Sequence, residues 1–219
     1  MYKYVEDKKF LRRAQSFCSN LMHELEDELR DDGINTQFFL VGSGARNMVT
    51  QNEDGPIDFD YNLNVISCDD INDCRTLKEK TRKALNKVLK TRDLGDVSDS
   101  TIPLTTWKIH FINQPEYDFS IDICIVTSEN GKWYRLKHEK TGFVYADKYY
   151  WNEAPNSKSY KDKSIKIKSV PGWWEVVRDQ YLKIKNRYLT SNDYNHPSFI
   201  CFIEAVNNVY NHMKQKGII

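Results

Sequence analysis

No stretch of this 219-residue sequence is apolar for long enough to cross a membrane. The opening run MYKYVEDKKFLRRAQ also lacks the apolar core of a secretory signal, so the expected address is the cytoplasm, with no membrane partner. Charge of one sign is not in excess either. Lys and Arg number 32 against 31 Asp and Glu, so the whole-chain charge selects no partner and local clusters must do so. The five cysteines Cys18, Cys68, Cys74, Cys124 and Cys201 are odd in number and fit no zinc spacing. Cys68 and Cys74 lie closest, without a second pair or a histidine cluster to complete a site, and reduced thiols are expected. There is no internal repeat and no extended low-complexity segment. What is present is 40% hydrophobic and 29% charged residues, the balance of a soluble globular chain that buries a core without staples.

Periodicity sets the expected elements. Phe10, Leu11, Ala14, Phe17, Leu21, Leu25 and Leu29 recur at three- and four-residue spacing, which predicts a helix over 1–31, stopped at Asp31-Asp32-Gly33. Phe38 to Val41 is wholly apolar and reads as a buried strand that breaks at Gly42-Ser43-Gly44. Residues 45–49 read as a short helix. Ile57, Phe59, Tyr61, Leu63 and Val65 alternate with Asp58, Asp60, Asn62 and Asn64, the pattern of a strand with one apolar face. A charged amphipathic helix follows over 70–92. Residues 105–112, with Trp107, Ile109 and Phe111 on one face, and 117–126 read as an antiparallel hairpin.

After about residue 128 the character changes. Residues 131–155 interleave aromatics with bases, and 156–169 carry Lys158, Lys161, Lys163, Lys166 and Lys168. The rings either stack on nucleobases or pack on the C-terminal helices, and packing is the preferred reading. The lysines read as a solvated loop, with RNA or triphosphate contact as the sharper alternative. Two helices close the chain, one opened by Pro171 with the stripe Trp174, Val177, Tyr181 and Ile184, one beginning near Pro197. Trp173-Trp174 reads as core, and His138 and His196 as surface or packing residues. The expected architecture is α/β (α+β): a mixed sheet with flanking helices in 1–128 and a mixed, then helical, region in 129–219, with a boundary somewhere in 128–170.

The carboxylates carry the chemistry. Asp58 and Asp60, two apart on a strand, share a face and can grip a bridging pair of magnesium ions, with manganese as a substitute. Asp122 lies mid-strand between apolar neighbours, a poor place for a carboxylate unless something positive meets it. Asp118 shares its face and is the rival third acid, nearer the strand's start. A Gly42-Ser43 turn that ends one strand and leads into a helical segment can offer backbone N–H groups to phosphates. Lys108 and His110 either face the same cleft or belong to a solvated strand face, the preferred reading.

Leu40-Val41-Gly42-Ser43, a spacer of fourteen residues, Asp58-Phe59-Asp60-Tyr61 and Ile121-Asp122-Ile123 resemble the pattern of the DNA polymerase beta-like nucleotidyltransferase superfamily. The resemblance covers roughly residues 36–126, and the long spacer is similar to that of the poly(A) polymerase and oligoadenylate or cyclic-dinucleotide synthase branches. It implies a nucleotidyltransferase-type mixed sheet, two magnesium ions, and transfer of a nucleoside monophosphate from an NTP such as ATP to an acceptor hydroxyl with release of pyrophosphate. Asp58 and Asp60 would ligate both ions, and Asp122 the second. Gly42 and Ser43 would hold the β- and γ-phosphates, with Arg46 or Asn47 adding a contact. The acceptor is open among a small molecule, an RNA end, a protein and a nucleotide. At this length the chain looks short for a nucleotide-cyclising enzyme, which favours a small-molecule or tRNA-like acceptor. The competing reading is a non-catalytic nucleotide- or RNA-binding module on the same fold, such as part of a toxin–antitoxin or defence pair.

Overall fold

The computed structural model describes residues 1–155, 158–191, 193 and 197–219. In chain order the elements are β1 (Tyr2–Tyr4), α1 (Lys8–Asp31), β2 (Asn35–Leu40), β3 (Thr50–Asn52), β4 (Ile57–Ser67), α2 (Cys74–Lys90), β5 (Ser98–Asp99), β6 (Leu104–Thr105), β7 (Ile109–Phe111), β8 (Gln114–Glu129), β9 (Lys132–Glu139), β10 (Lys148–Glu153), α3 (Lys158–Lys168), α4 (Trp173–Thr190) and α5 (Ser198–Gln215). They form two compact units. The larger comprises Val5–Val49 and Asp54–Ala154, the smaller Met1–Tyr4, Thr50–Glu53 and Pro155–Ile219.

The larger unit is a mixed sheet with helices on one face. Its main path runs β10-β9-β8-β4-β2. The pairing of β4 with β8 is parallel, with α2 in the intervening chain, and the other pairings are antiparallel. The opposite edge of β8 takes β7, β6 and β9 in turn. β4 shows why the strand forms where it does. Ile57, Phe59, Tyr61, Leu63 and Val65 are buried, and the residues between them are not. The apolar row packs under α1 and α2, where Phe119 meets Phe10, Phe17, Phe59 and Phe111 with ring centroids 5.1–6.1 Å apart. Asp7 caps α1 by accepting from the N–H groups of Lys9 and Phe10 at 2.8 and 2.9 Å. Gly33, at φ 77°, ends it.

The smaller unit packs α3, α4 and α5 around Ile167, Val177, Tyr181, Ile184, Cys201, Phe202, Val206 and Val209. The two-stranded ribbon of β1 and β3 belongs to it. Asn186 on α4 donates to the Tyr2 carbonyl and accepts from the Tyr2 N–H, so one amide side chain fixes β1. Among the described residues, no helix is long and apolar enough to cross a membrane.

Several expectations are corrected. The first helix does not begin at residue 1, because Tyr2–Tyr4 pairs with Thr50–Asn52 and Asp7 sets the helix start. β2 is an edge strand, with Phe39 40% exposed, not a buried one. The strand expected over 105–112 is two short strands flanking a bend, which leaves Trp107 69% exposed. The lysines expected in a loop lie on α3, where Lys163 donates to Asn207 and Lys168 sits over the Trp174 ring. Trp173 and Trp174 are only half-buried. The rings of 131–155 belong to the larger unit through β9 and β10; Trp151, for example, donates from its indole N–H to the Ile71 carbonyl. The last segment of the smaller unit begins at Pro155. His138 is buried and stacks on Tyr149, as the packing alternative expects, and it is bonded to two aspartates besides. The reading of His196 lies outside the described residues.

Phe119→Ala removes the ring at the centre of this cluster. It should lower the unfolding free energy by about 3–5 kcal/mol in urea melts. A loss under about 1 kcal/mol would contradict its central place.

Candidate active site

The face of the sheet opposite the core gathers the acids. Parallel strands in register put like positions side by side, about 4.8 Å apart. Asp60 stands directly across from Asp122, and Asp58 across from Ser120. Ser120 donates from its hydroxyl to Asp58 Oδ1, and Thr105 on β6 donates to Asp122 Oδ1 at 2.6 Å. β6 is placed for this, because Thr105 lies opposite Asp122 in the β6–β8 pairing. Asp118, the rival third acid, precedes the span of β8 that pairs with β4. It lies opposite His110 and accepts from its ring at 3.0 Å. The structure therefore brings Asp122, not Asp118, to Asp58 and Asp60. Lys108 is exposed in the bend between β6 and β7.

The Gly42-Ser43 turn abuts the same acids. The Val41 N–H donates to the Asp60 carbonyl at 2.8 Å, which ties the end of β2 to β4. Gly42 then adopts φ 63°, and a Cβ built there would lie 2.0 Å from Asp60 Oδ2. Only glycine lets the backbone approach this carboxylate so closely. Residues 44–46 make a single 3-10 turn in place of the expected helix, and Asn47 closes it in the left-handed region at φ 55°. The Ser43 carbonyl accepts from the Arg46 and Met48 N–H groups. Among the described residues, neither the Gly42 nor the Ser43 N–H donates to another protein group. Arg46 folds back and donates to the Gly42 carbonyl, so its guanidinium braces the turn.

Burial raises the pKa of Asp122 above the ordinary carboxylate range; the Asp58 charge adds to this, and the Thr105 bond opposes it. Burial also pushes the neighbouring Cys124 thiol up to about 11, with Asp122 and Asp60 adding to it, so this cysteine stays a neutral thiol. Among the described residues, no three His, Cys, Asp or Glu side chains converge tightly enough to hold a metal ion as they stand. The donor set itself suits magnesium: hard carboxylate oxygens, with the Asp122 carboxylate perturbed by the charge of Asp58.

Ser120 and Thr105 were not singled out from the sequence. Ser120 had a legible signal, since it alternates onto the face of Asp122. Thr105 had none, because its partner depends on the short β6–β8 pairing.

No protein-family model matches the chain, and no curated protein matches its sequence. Solved structures do. The chain is similar to Vibrio cholerae DncV in its 3'-deoxy ATP bound form, at 17% identity over 94% of this chain and 53% of that one, with TM-score 0.56. It is similar to CdnC of E. coli MS115-1 in a complex with HORMA-deltaN, at 19% identity over 92% and 60%, with TM-score 0.55. It is also similar to the V. cholerae di-nucleotide cyclase DncV with GTP bound, at 13% identity over 87% and 52%, with TM-score 0.54. The chain thus spans about half to three-fifths of the length of these proteins. The likeness shows the fold: a nucleotidyltransferase-type mixed sheet with flanking helices.

The Asp122 pKa gives a stability prediction with a definite sign. Its carboxyl binds a proton more readily folded than unfolded, so ionising it costs stability. That cost is absent where both states are protonated and grows as pH rises through the unfolded value to the folded one. Asp122→Asn removes it. The variant should melt higher than the parent at pH 8 without added metal, and the gain should vanish near pH 3. A lower melting temperature at pH 8 would contradict this electrostatic account.

Proposed function

We propose that the chain is a magnesium-dependent nucleotidyltransferase that moves a nucleoside monophosphate from an NTP to an acceptor hydroxyl and releases pyrophosphate. The observation that carries the reading is the register of β4 and β8, which sets Asp60 beside Asp122, together with the Gly42 backbone packed against Asp60. Asp58, Asp60 and Asp122 are the residues that would hold two magnesium ions. When bound, these would neutralise charge on the transferring phosphoryl group and polarise the attacking hydroxyl.

The protein's own part follows from the geometry. The Gly42 and Ser43 N–H groups, which donate to no other protein group among the described residues, would be donors for the β- and γ-phosphates. Arg46 keeps the turn in shape for them. Ser120 and Thr105 each hold one carboxylate oxygen, of Asp58 and Asp122, and so orient the other. Fold neighbours solved with GTP and 3'-deoxy ATP support an NTP donor and make a nucleotide hydroxyl the first acceptor to try.

The test is incubation with each of the four α-labelled NTPs, magnesium and a panel of acceptors, including the NTPs themselves. Label should pass to an acceptor as pyrophosphate appears. Loss of a partner that merely supports a metal ligand costs roughly 10–100-fold. Asp60→Ala, which removes a ligand, should lower the rate by more than about 100-fold with the fold intact. Full activity in Asp60→Ala would refute the site. Tight magnesium-dependent NTP binding without pyrophosphate release would favour a binding module instead.

A further inference from the structure

A second charged cluster lies in the same unit and takes no direct part in that site. Lys78 on α2 is fully buried, and its ammonium pairs with Asp99 Oδ1 at 2.8 Å and donates to the Ser100 carbonyl at 2.8 Å. His138 on β9 bridges Asp99 Oδ2 through Nδ1 at 2.8 Å and Asp147 Oδ2 through Nε2 at 2.9 Å. Each ring nitrogen thus faces a carboxylate oxygen. Asp147 is further held by the Thr141 N–H at 2.8 Å, and the Tyr149 ring stacks on His138 with centroids 4.1 Å apart. A buried polar network whose members are paired rigidifies the segments it joins.

What it fixes is the β5–β6 hairpin. Asp99 is the last residue of β5, and the His138 N–H donates to the Thr101 carbonyl at 2.7 Å in the turn. Lys140 donates to the Asp99 carbonyl at 2.6 Å. Every one of these contacts falls on residues 99–101. Four residues later the same hairpin presents Thr105, whose hydroxyl holds Asp122. β5 and β6 are only two residues long each, too short to hold their place by pairing alone.

We propose that His138, bridging Asp99 and Asp147, is a positioning residue for Asp122, acting through the β5–β6 hairpin and the Thr105 hydroxyl. The proposal rests on the transfer reading, in which Asp122 serves the acceptor. His138→Gln is the direct probe, because glutamine turns a carbonyl oxygen toward one of the two carboxylates.

With the full chain, kcat should fall about 10-fold in His138→Gln and about 10–100-fold in Thr105→Val, with the KM for the donor NTP unchanged in both. The double variant should be little worse than Thr105→Val alone, since both act on one contact. Asp147→Asn, at the outer end of the bridge, should show the same kcat loss in smaller measure, and it carries the test if His138→Gln does not fold. Multiplying effects in the double variant, or a lower melting temperature with kcat unchanged, would overturn the proposal and leave the transfer reading intact. A parent chain that releases no pyrophosphate from any NTP would overturn both.

Discussion

The parallel pairing of β4 with β8 is the constraint on which the rest depends. Parallel neighbours hold equivalent positions side by side, so alternation on each strand sends Ile57, Phe59, Phe119 and Ile121 to one face and Asp58, Asp60, Ser120 and Asp122 to the other. One register thus builds the aromatic core and the acid cluster together. A slip of a single residue would turn both inside out.

Crowding these carboxylates has an electrostatic cost. Burial and the charge of Asp58 both disfavour ionised Asp122, and the protein offsets part of this with the Thr105 hydroxyl. A cluster held for stability alone would carry a lysine or an apolar residue at such a place. Asp60 is pressed against a glycine at which a Cβ would collide with it, so the Gly42 turn and the acid are one unit of structure. The hairpin that carries Thr105 is small and is held by buried charge, which puts a network around His138 at one remove from Asp122.

Much of this was legible in the sequence, for a physical reason: alternation and helical stripes report directly which face is buried. The α1 and β4 patterns, the turn at Gly42 and the opening of α5 near Pro197 follow from local composition. Asp58 and Asp60 share a face by spacing alone. What local pattern could not carry was pairing at a distance. β1 looked like the start of a helix because its partner, β3, lies some fifty residues on. The Phe38 run looked buried because an edge position leaves no mark on composition. His138 read as a surface or packing residue without its polar partners, because Asp99, 39 residues before it, reaches it only through the fold. The likeness to solved structures confirms the architecture and leaves the chemistry to the residues themselves.

The central claim is that Asp58, Asp60 and Asp122 together hold divalent ions at one register. Counting bound Mn2+ by electron paramagnetic resonance, in the presence of a non-reacting NTP analogue, tests it most directly. The account predicts two ions per chain in the parent protein and the loss of at least one in Asp122→Asn. No bound Mn2+ in the parent, or an unchanged count in the variant, would contradict it.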